Sequence, residues 1–206
     1  LKAYGKTTDL IAMGGAQYVH TFDKCLFMPS DLTAGLEYNR DRLKDNMWGY
    51  DRHTDQTVNI YSAFLQNEWK NERWSILVGG RLDKHNMVDN IIFSPRANLR
   101  FNPTQNINLR LSYSSGFRAP QAFDEDMHIE NVGGTVAMIE RAKNLKEEKS
   151  QSFSASADIY HRFGAFQTNF LIEGFYTKLT DVFVLGEPYN RGDGVLVKLR
   201  SNGPGA

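Results

Sequence analysis

The sequence predicts an all-β fold, an antiparallel up-and-down transmembrane β-barrel, of which this chain supplies a fragment of about eight strands. Three observations predict it. Short segments alternate apolar with polar residues, the polar set includes charged side chains, and the connections are short at one end and longer at the other. The clearest segment runs from Phe93 to Asn102. Its odd positions are Phe93, Pro95, Ala97, Leu99 and Phe101; its even positions are Ser94, Arg96, Asn98, Arg100 and Asn102. A period of two makes one face apolar and the other wet. Strands of about ten residues with that pattern suit a wall with lipid on one side and water on the other.

The other elements follow in order. Segment one, near Thr8 to Asp23, sets Leu10, Ala12, Gly14, Ala16, Tyr18 and Phe22 on one face. Cys25 to Asp31, with Pro29, reads as a turn. Segment two opposes Leu32, Ala34, Leu36 and Tyr38 to Thr33, Gly35, Glu37 and Asn39, and a long polar loop is expected from Arg42 to Gln56. Segment three, Thr57 to Lys70, carries Tyr61, Ala63, Leu65 and Trp69 on its better apolar face, with Val58, Ile60 and Phe64 opposite. After a tight turn at Asn71–Arg73, segment four presents Trp74, Ile76, Val78, Gly80 and Leu82. A modest loop, His85 to Asn90, leads to the segment already described. Asn102 to Gln105 is a turn by composition. Segment six sets out Ile107, Leu109, Leu111 and Tyr113; the longest irregular stretch then runs from Gly116 to Lys149, with room for a helical turn within Met138 to Glu148. Segment seven presents Phe153, Ala155, Ala157 and Ile159. Arg162 to Ala165 turns the chain into segment eight, with Phe170, Ile172, Gly174 and Tyr176, and the tail from Leu185 is glycine-rich and loop-like. Trp69, Trp74, Phe101 and Phe166 flank the short turns, where an interfacial aromatic girdle belongs.

Composition narrows the classes. The chain has 206 residues with 24 basic and 24 acidic side chains, so it lacks the clustered basic excess of a nucleic-acid binder. Mean hydropathy is −0.48, a value that would suggest solubility for most folds. In a barrel every second strand residue faces a polar lumen and dilutes the apolar signal. Leu10 to Ala16, the longest apolar stretch near the start, is too short for a membrane helix. The single cysteine, Cys25, cannot close an internal disulfide. The sequence starts at Leu1 rather than Met and ends in a loop-like Asn202-Gly203-Pro204-Gly205-Ala206, so residues 1–206 are expected to be one partial barrel domain.

Two motifs carry a resemblance. Segment six runs into Phe117-Arg118-Ala119-Pro120, and the stretch after it contains Asn144-Leu145-Lys146-Glu147-Glu148-Lys149-Ser150. The pair resembles the FRAP box and the NPNLKPE(K/T)S box of TonB-dependent outer-membrane receptors. The first matches in full. The second matches at Asn144, Leu145, Lys146, Glu148, Lys149 and Ser150 but lacks the prolines. Ser94-Pro95-Arg96 to Leu99 is similar to the strand that precedes FRAP in this family, and Ala119 to Asp126 resembles receptors from Bacteroidetes. The resemblance implies a Gram-negative outer-membrane location, lipid around the wall, and a plug domain inside it. It also implies TonB engaged through an N-terminal box, and active import of a small-molecule metal chelate: a ferric siderophore, cobalamin or haem. No plug or TonB box is recognisable in these 206 residues.

Candidate ligand-facing residues are Phe117, Arg118 and Pro120, then Asp124, Glu125, Asp126 and His128, and Trp48 and Tyr50 with His53 nearby. Phe117 to Pro120 either shape the loop base or simply end a strand, since proline removes a ladder donor. In haem receptors of the family a histidine in this loop ligates iron; His128 is otherwise an exposed loop residue. Asp124, Glu125 and Asp126, with Glu130, offer oxygen ligands for a loop calcium, or form an ordinary solvated acidic run. Trp48 and Tyr50 suit either stacking on a flat ligand or the aromatic belt. Lumenal Arg81, Arg96, Arg100 and Arg110 need partners or water, and plug carboxylates would serve.

No catalytic constellation stands out: there is no G-x-S-x-G elbow, no H-E-x-x-H and no phosphate-cradling glycine loop. The chain therefore does not read as an enzyme, and neither a cofactor nor a resident metal is expected apart from that calcium. The rivals are a SusC-type glycan importer, an eight-stranded outer-membrane enzyme and a soluble β-sandwich binding module.

Overall fold

The computed structural model describes residues 4–121, 130–132, 135–192 and 196–205; at residue 50 and in 130–132 and 135–137 it describes the backbone. Eight strands form one antiparallel sheet in the order β1-β2-β3-β4-β5-β6-β9-β10. They are β1 (Gly5–Cys25), β2 (Met28–Met47), β3 (Arg52–Lys70), β4 (Trp74–His85), β5 (Ile92–Thr104), β6 (Ile107–Arg118), β9 (Glu148–Phe163) and β10 (Phe166–Thr180). A smaller sheet in the order β11-β13-β8-β7 is built from β7 (Glu130–Val132), β8 (Thr135–Arg141), β11 (Phe183–Leu185) and β13 (Leu196–Asn202), with β12 (Tyr189–Asn190) beside β13. Among the described residues no helix is long and apolar enough to cross a membrane, so any crossing falls to strands.

The register carries the alternation across the whole large sheet. One row of direct cross-strand partners reads Leu32, Asn67, Val78, Ala97, Tyr113, Phe153 and Tyr176. The next row, on the other face, reads Thr33, Gln66, Gly79, Arg96, Ser114, Ser152 and Thr177. A slip of one residue would exchange the two faces, so each apolar set fixes the register of its neighbours. No second layer covers the apolar face: Leu36 is 67% exposed, Phe93 61% and Tyr176 63%. Apolar surface this continuous needs lipid, and it is incompatible with a sandwich, whose apolar faces meet in a core.

Aromatic pairs bound that face at both ends. Near the short turns, Phe27 stacks on Trp69 and Trp74 on Phe101, with ring centroids 5.5 and 4.1 Å apart. Phe166 lies at the same end, beside the β9–β10 turn. Toward the long loops, Tyr38 stacks on Tyr61 at 4.9 Å, and Tyr113 lies 4.8 Å from Phe153.

Four expectations need correction. The turn at Cys25–Asp31 is tighter, because pairing resumes at Cys25↔Met28. The residues expected as a long loop from Arg42 to Gln56 continue the β2–β3 ladder through Leu43↔Gln56 and Met47↔Arg52. Only a 3-10 turn, Trp48–Tyr50, and Asp51 in the left-handed region (φ 49°) join the two strands. Above Tyr38 the former apolar face carries Arg40, Arg42 and Lys44. With the former apolar face wet and Leu43 buried on the other, the lipid-facing alternation ends while the backbone ladder continues. The stretch expected to be irregular from Gly116 to Lys149 lies between the ends of β6 and β9 and contains β7 and β8, so the helical turn expected within Met138–Glu148 is instead the end of β8 and a turn. The tail expected to be loop-like contributes β11, β12 and β13.

The core sits at the loop end of the polar face. Among the described residues the buried apolar ones are Leu43, Val58, Val88, Ile92, Ala119, Met138 and Val197, none of them in the lipid-facing rows. β13 runs parallel to β8 with Val197 opposite Met138, at 0% and 4% exposure.

Candidate ligand-binding site

The two sequence boxes lie side by side. Gly116 pairs with Ser150, Phe117 with Lys149 and Arg118 with Glu148, so the FRAP strand and the second box close the loop end of β6 and β9. Both members of the last pair reach β11. The Arg118 guanidinium stands 5.7 Å from the Phe183 ring centroid, and the Phe183 amide donates to Glu148 Oε2 at 2.8 Å. Beyond the strand, Ala119 is buried with Val88 and Ile92, and Phe117 packs against them. In the second box, Asn144 lies in a turn closed by the Leu145 amide donating to the Ala142 carbonyl at 3.3 Å, the Lys146 amide donates to Asn202 Oδ1 at 2.8 Å, and Lys149 pairs with Glu147 at 3.0 Å.

His85 ties the β4–β5 loop to this joint. Its ring is fully buried. The Met87 amide donates to Nδ1 at 3.1 Å, so Nε2 carries the proton and donates to Gln121 Oε1 at 3.2 Å. Burial pushes its pKa down, while Gln121 and Asp83 pull the other way. The Lys84 ammonium donates to the Val88 and Asp89 carbonyls at 3.0 and 2.6 Å and holds the same loop.

Above the joint opens a cleft of about 640 Å³ between the β2–β3 turn and β8, lined by Arg52, His53, Met87, Glu140, Arg141 and Arg191 among others. Asp51, Lys143 and Pro120 also reach it. The three arginines are held in place. Arg52 Nη2 meets Asp45 at 2.7 Å, and the buried carboxylate also accepts from Thr7 Oγ1 at 2.6 Å. Arg141 Nη1 donates to Gln56 Oε1 at 3.0 Å and to the Pro120 carbonyl at 3.2 Å, which links β8 to β3 and to the FRAP box. Arg191 meets Glu140 at 2.9 Å. Asn46 and Asp51 bracket the His53 ring at 2.9 and 3.2 Å. Among the described residues, the lining carries Arg52, Arg141, Lys143 and Arg191 against Asp51 and Glu140, with Asp45 behind Arg52.

The residues singled out in the sequence divide accordingly. Pro120 lines the cleft and Phe117 and Arg118 brace it from below. Trp48 is 52% exposed and lies 6.5 Å from Tyr4, outside the cleft lining. Asp124, Glu125, Asp126 and His128 fall outside the described residues, as does the Tyr50 side chain. Among the described residues no group of three or more His, Cys, Asp or Glu is placed to hold a metal ion. Arg52, Arg141, Lys143 and Arg191 were not legible as a group, because three separated stretches of chain bring them together.

Similarity to known proteins agrees with this geometry. Comparison with curated protein sequences gives no match. Among solved structures, the siderophore receptor PirA from Pseudomonas aeruginosa superposes with a TM-score of 0.81 at 15% identity, over 98% of this chain and 38% of that one. A ferric enterobactin receptor (PfeA) from the same organism gives 0.71 at 18% identity, over 98% and 32%. The FrpB iron transporter from Neisseria meningitidis gives 0.60 at 16% identity, over 94% and 31%. The chain thus spans about a third of the length of the structures it resembles. The family model for the TonB dependent receptor-like β-barrel matches residues 3–201, nearly the whole chain, and the chain belongs to that family.

Proposed function

We propose that this chain forms part of the wall and the external loop cluster of an outer-membrane receptor of a Gram-negative bacterium, and that the whole receptor imports an anionic iron chelate by TonB-driven transport. Family membership supports the receptor role. The structural neighbours named as siderophore receptors and an iron transporter support the cargo class. The observation that carries the cargo reading is the cation-rich cleft over the FRAP joint. Ferric siderophores are commonly anionic, and fixed guanidinium groups bind oxygen-rich anions by charge-assisted, often bidentate hydrogen bonds.

The chemistry here is capture rather than bond breaking. The loop cluster offers a preorganised cationic surface whose arginines are already oriented by Asp45, Gln56 and Glu140, so little side-chain entropy remains to be lost on binding. Energy coupling would lie in a plug and TonB box elsewhere in the full protein.

The test is uptake of radiolabelled iron, supplied as an anionic catecholate chelate, by cells whose only receptor is the full-length protein, with and without TonB. TonB-dependent accumulation is expected. Uptake of cyanocobalamin but no iron chelate would replace the cargo assignment, and uptake independent of TonB would overturn the mechanism.

A further inference from the structure

The turn that carries the second box is pinned on both sides. The Ala142 amide donates to the Arg200 carbonyl at 2.9 Å, and the Lys146 amide donates to Asn202 Oδ1 at 2.8 Å. Asn202 Nδ2 donates in return to the Lys146 and Asp181 carbonyls at 3.1 and 2.6 Å. Between these anchors the Leu145 amide closes the turn on the Ala142 carbonyl at 3.3 Å, which makes Lys143 the second of four turn residues. That place favours proline, whose ring sets the φ the turn needs. The box has its first proline there: aligned on Asn144, Leu145 and Lys146, it falls on Lys143. Among the described residues the Lys143 amide makes no backbone hydrogen bond, so proline would break none. The backbone therefore does not require a lysine. Lys143 is exposed and lines the cleft. Arg52 is tied to Asp45, Arg141 to Gln56 and Pro120, and Arg191 to Glu140. Among the described residues Lys143 is the cation of the lining with neither an ion pair nor a hydrogen bond.

We propose that Lys143 is the charge-selecting residue of the cleft: its ammonium draws in negatively charged chelates and sets their rate of capture, while the three tied arginines set the shape that is accepted. The inference rests on the cargo reading above and deepens it. The two kinds of cation suit the two roles. A planar guanidinium already held by its own partners selects by geometry. An ammonium on a four-carbon stem is a compact charge with three donors and no fixed direction, so it follows an approaching oxygen and selects by charge. The lining's described carboxylates do not neutralise it, because Asp51 lies on His53 at 3.2 Å and Glu140 on Arg191 at 2.9 Å. In an exposed position its attraction acts on encounter more than on final affinity, and salt screens it. A lysine at this turn position gives up the rigidity that proline brings, and what it adds to the folded protein is a charge at the cleft.

The test uses the purified full-length receptor and two iron chelates, a negatively charged ferric tris-catecholate and an uncharged ferric tris-hydroxamate. Association is followed by stopped-flow quenching of tryptophan fluorescence. At low salt, Lys143→Gln and Lys143→Pro are expected to slow capture of the tris-catecholate about two- to fivefold and Lys143→Glu about tenfold, while Lys143→Arg keeps the wild-type rate. At about 1 M salt, where the screening length is about 3 Å, the differences should vanish. Rates for the tris-hydroxamate should not change with the residue at this position. A Lys143→Gln protein that captures the tris-catecholate at the wild-type rate overturns the proposal. So does one that slows both chelates equally, or whose defect survives high salt, since Lys143 would then hold the shape of the cleft. A wild-type protein that binds no tris-catecholate defeats the cargo reading, and a second arm then reads Lys143 without a chelate. Thr54, also in the lining, is changed to Cys in a protein whose free Cys25 is Ser, and its modification by an anionic and a cationic methanethiosulfonate is timed. Adding Lys143→Gln should slow the anionic reagent about two- to fivefold relative to the cationic one. An unchanged ratio overturns the proposal.

Discussion

Replacing His85 with Phe keeps the ring volume and removes both ring hydrogen bonds. His85 lies beyond Leu82, the last residue of the apolar row on β4, and so outside the lipid-facing span. Its loss leaves the Met87 amide without the acceptor it now reaches at 3.1 Å. Gln121 is half-buried and can turn to water, so only the amide bears the full cost. An unsatisfied donor of this kind costs about 1–3 kcal/mol. At 1.4 kcal/mol per tenfold, the opening constant of the β4–β5 loop should rise by roughly five- to 150-fold. The same ring sets a pH dependence. Burial holds the folded pKa below the ordinary 6.5, so the open loop binds a proton that the closed loop refuses. Closing is therefore most favourable above about pH 6.5 and weakens as pH falls through 6.5 toward the folded value. Hydrogen exchange of the Met87 amide in the full-length receptor, corrected for intrinsic rates, should show protection falling between pH 7 and pH 5 in wild type and little further change in the Phe variant. Equal protection in the two proteins at pH 7, or protection that rises on acidification, would refute the latch.

Three further outcomes follow from the geometry. Trp74→Ala removes the ring stacked at 4.1 Å on Phe101 and should cost about 0.5–1.5 kcal/mol beyond the lost area, read as a lower urea midpoint in detergent. Gly79→Val places a Cβ 2.5 Å from the Gln66 Cβ and 2.9 Å from the Leu65 carbonyl, an overpacking cost of about 1–3 kcal/mol, whereas Gly14→Val meets nothing within 4 Å and should leave the midpoint almost unchanged. Arg141→Ala removes the link from β8 to Gln56 and Pro120 at the cleft, and should weaken binding of an anionic iron chelate by about tenfold or more in a fluorescence titration while heat-modifiable migration stays that of an assembled barrel.

The membrane wall was legible because its physics is one-dimensional. Alternation along a strand specifies which side chains face lipid, and the odd residues from Phe93 to Phe101 do so in the structure as in the sequence. The same rule explains the failures. Once β2 and β3 leave the lipid, Leu43 is buried on one face while Arg42 and Lys44 are exposed on the other, an inversion of the pattern below it. A reading tuned to lipid therefore ends the strands at Arg42 although the ladder runs on to Met47. The small sheet was invisible for another reason. β13 pairs in parallel with β8 across more than fifty residues of chain, and no local pattern in seven-residue strands reports such a partner. The two boxes were visible as motifs, but their direct pairing came only from the register of β6 and β9.

Placement of the core explains why binding chemistry gathers where it does. A wall one sheet thick, with lipid on one side and an interior on the other, buries small and polar side chains such as Ser30, Ser62 and Asp158 but no large apolar ones, and the lipid-facing rows stay exposed. Only where strands extend past the apolar span can loops fold back on the polar face, and there the buried residues collect: His85, Val88, Ala119, Met138 and Val197. The FRAP strand ends at that transition, with Phe117 and Ala119 in the small core and the Pro120 carbonyl on Arg141. A change at the cleft that moves Arg141 therefore pulls on the chain segment that ends β6, and the β6–β9 ladder carries that pull into the wall.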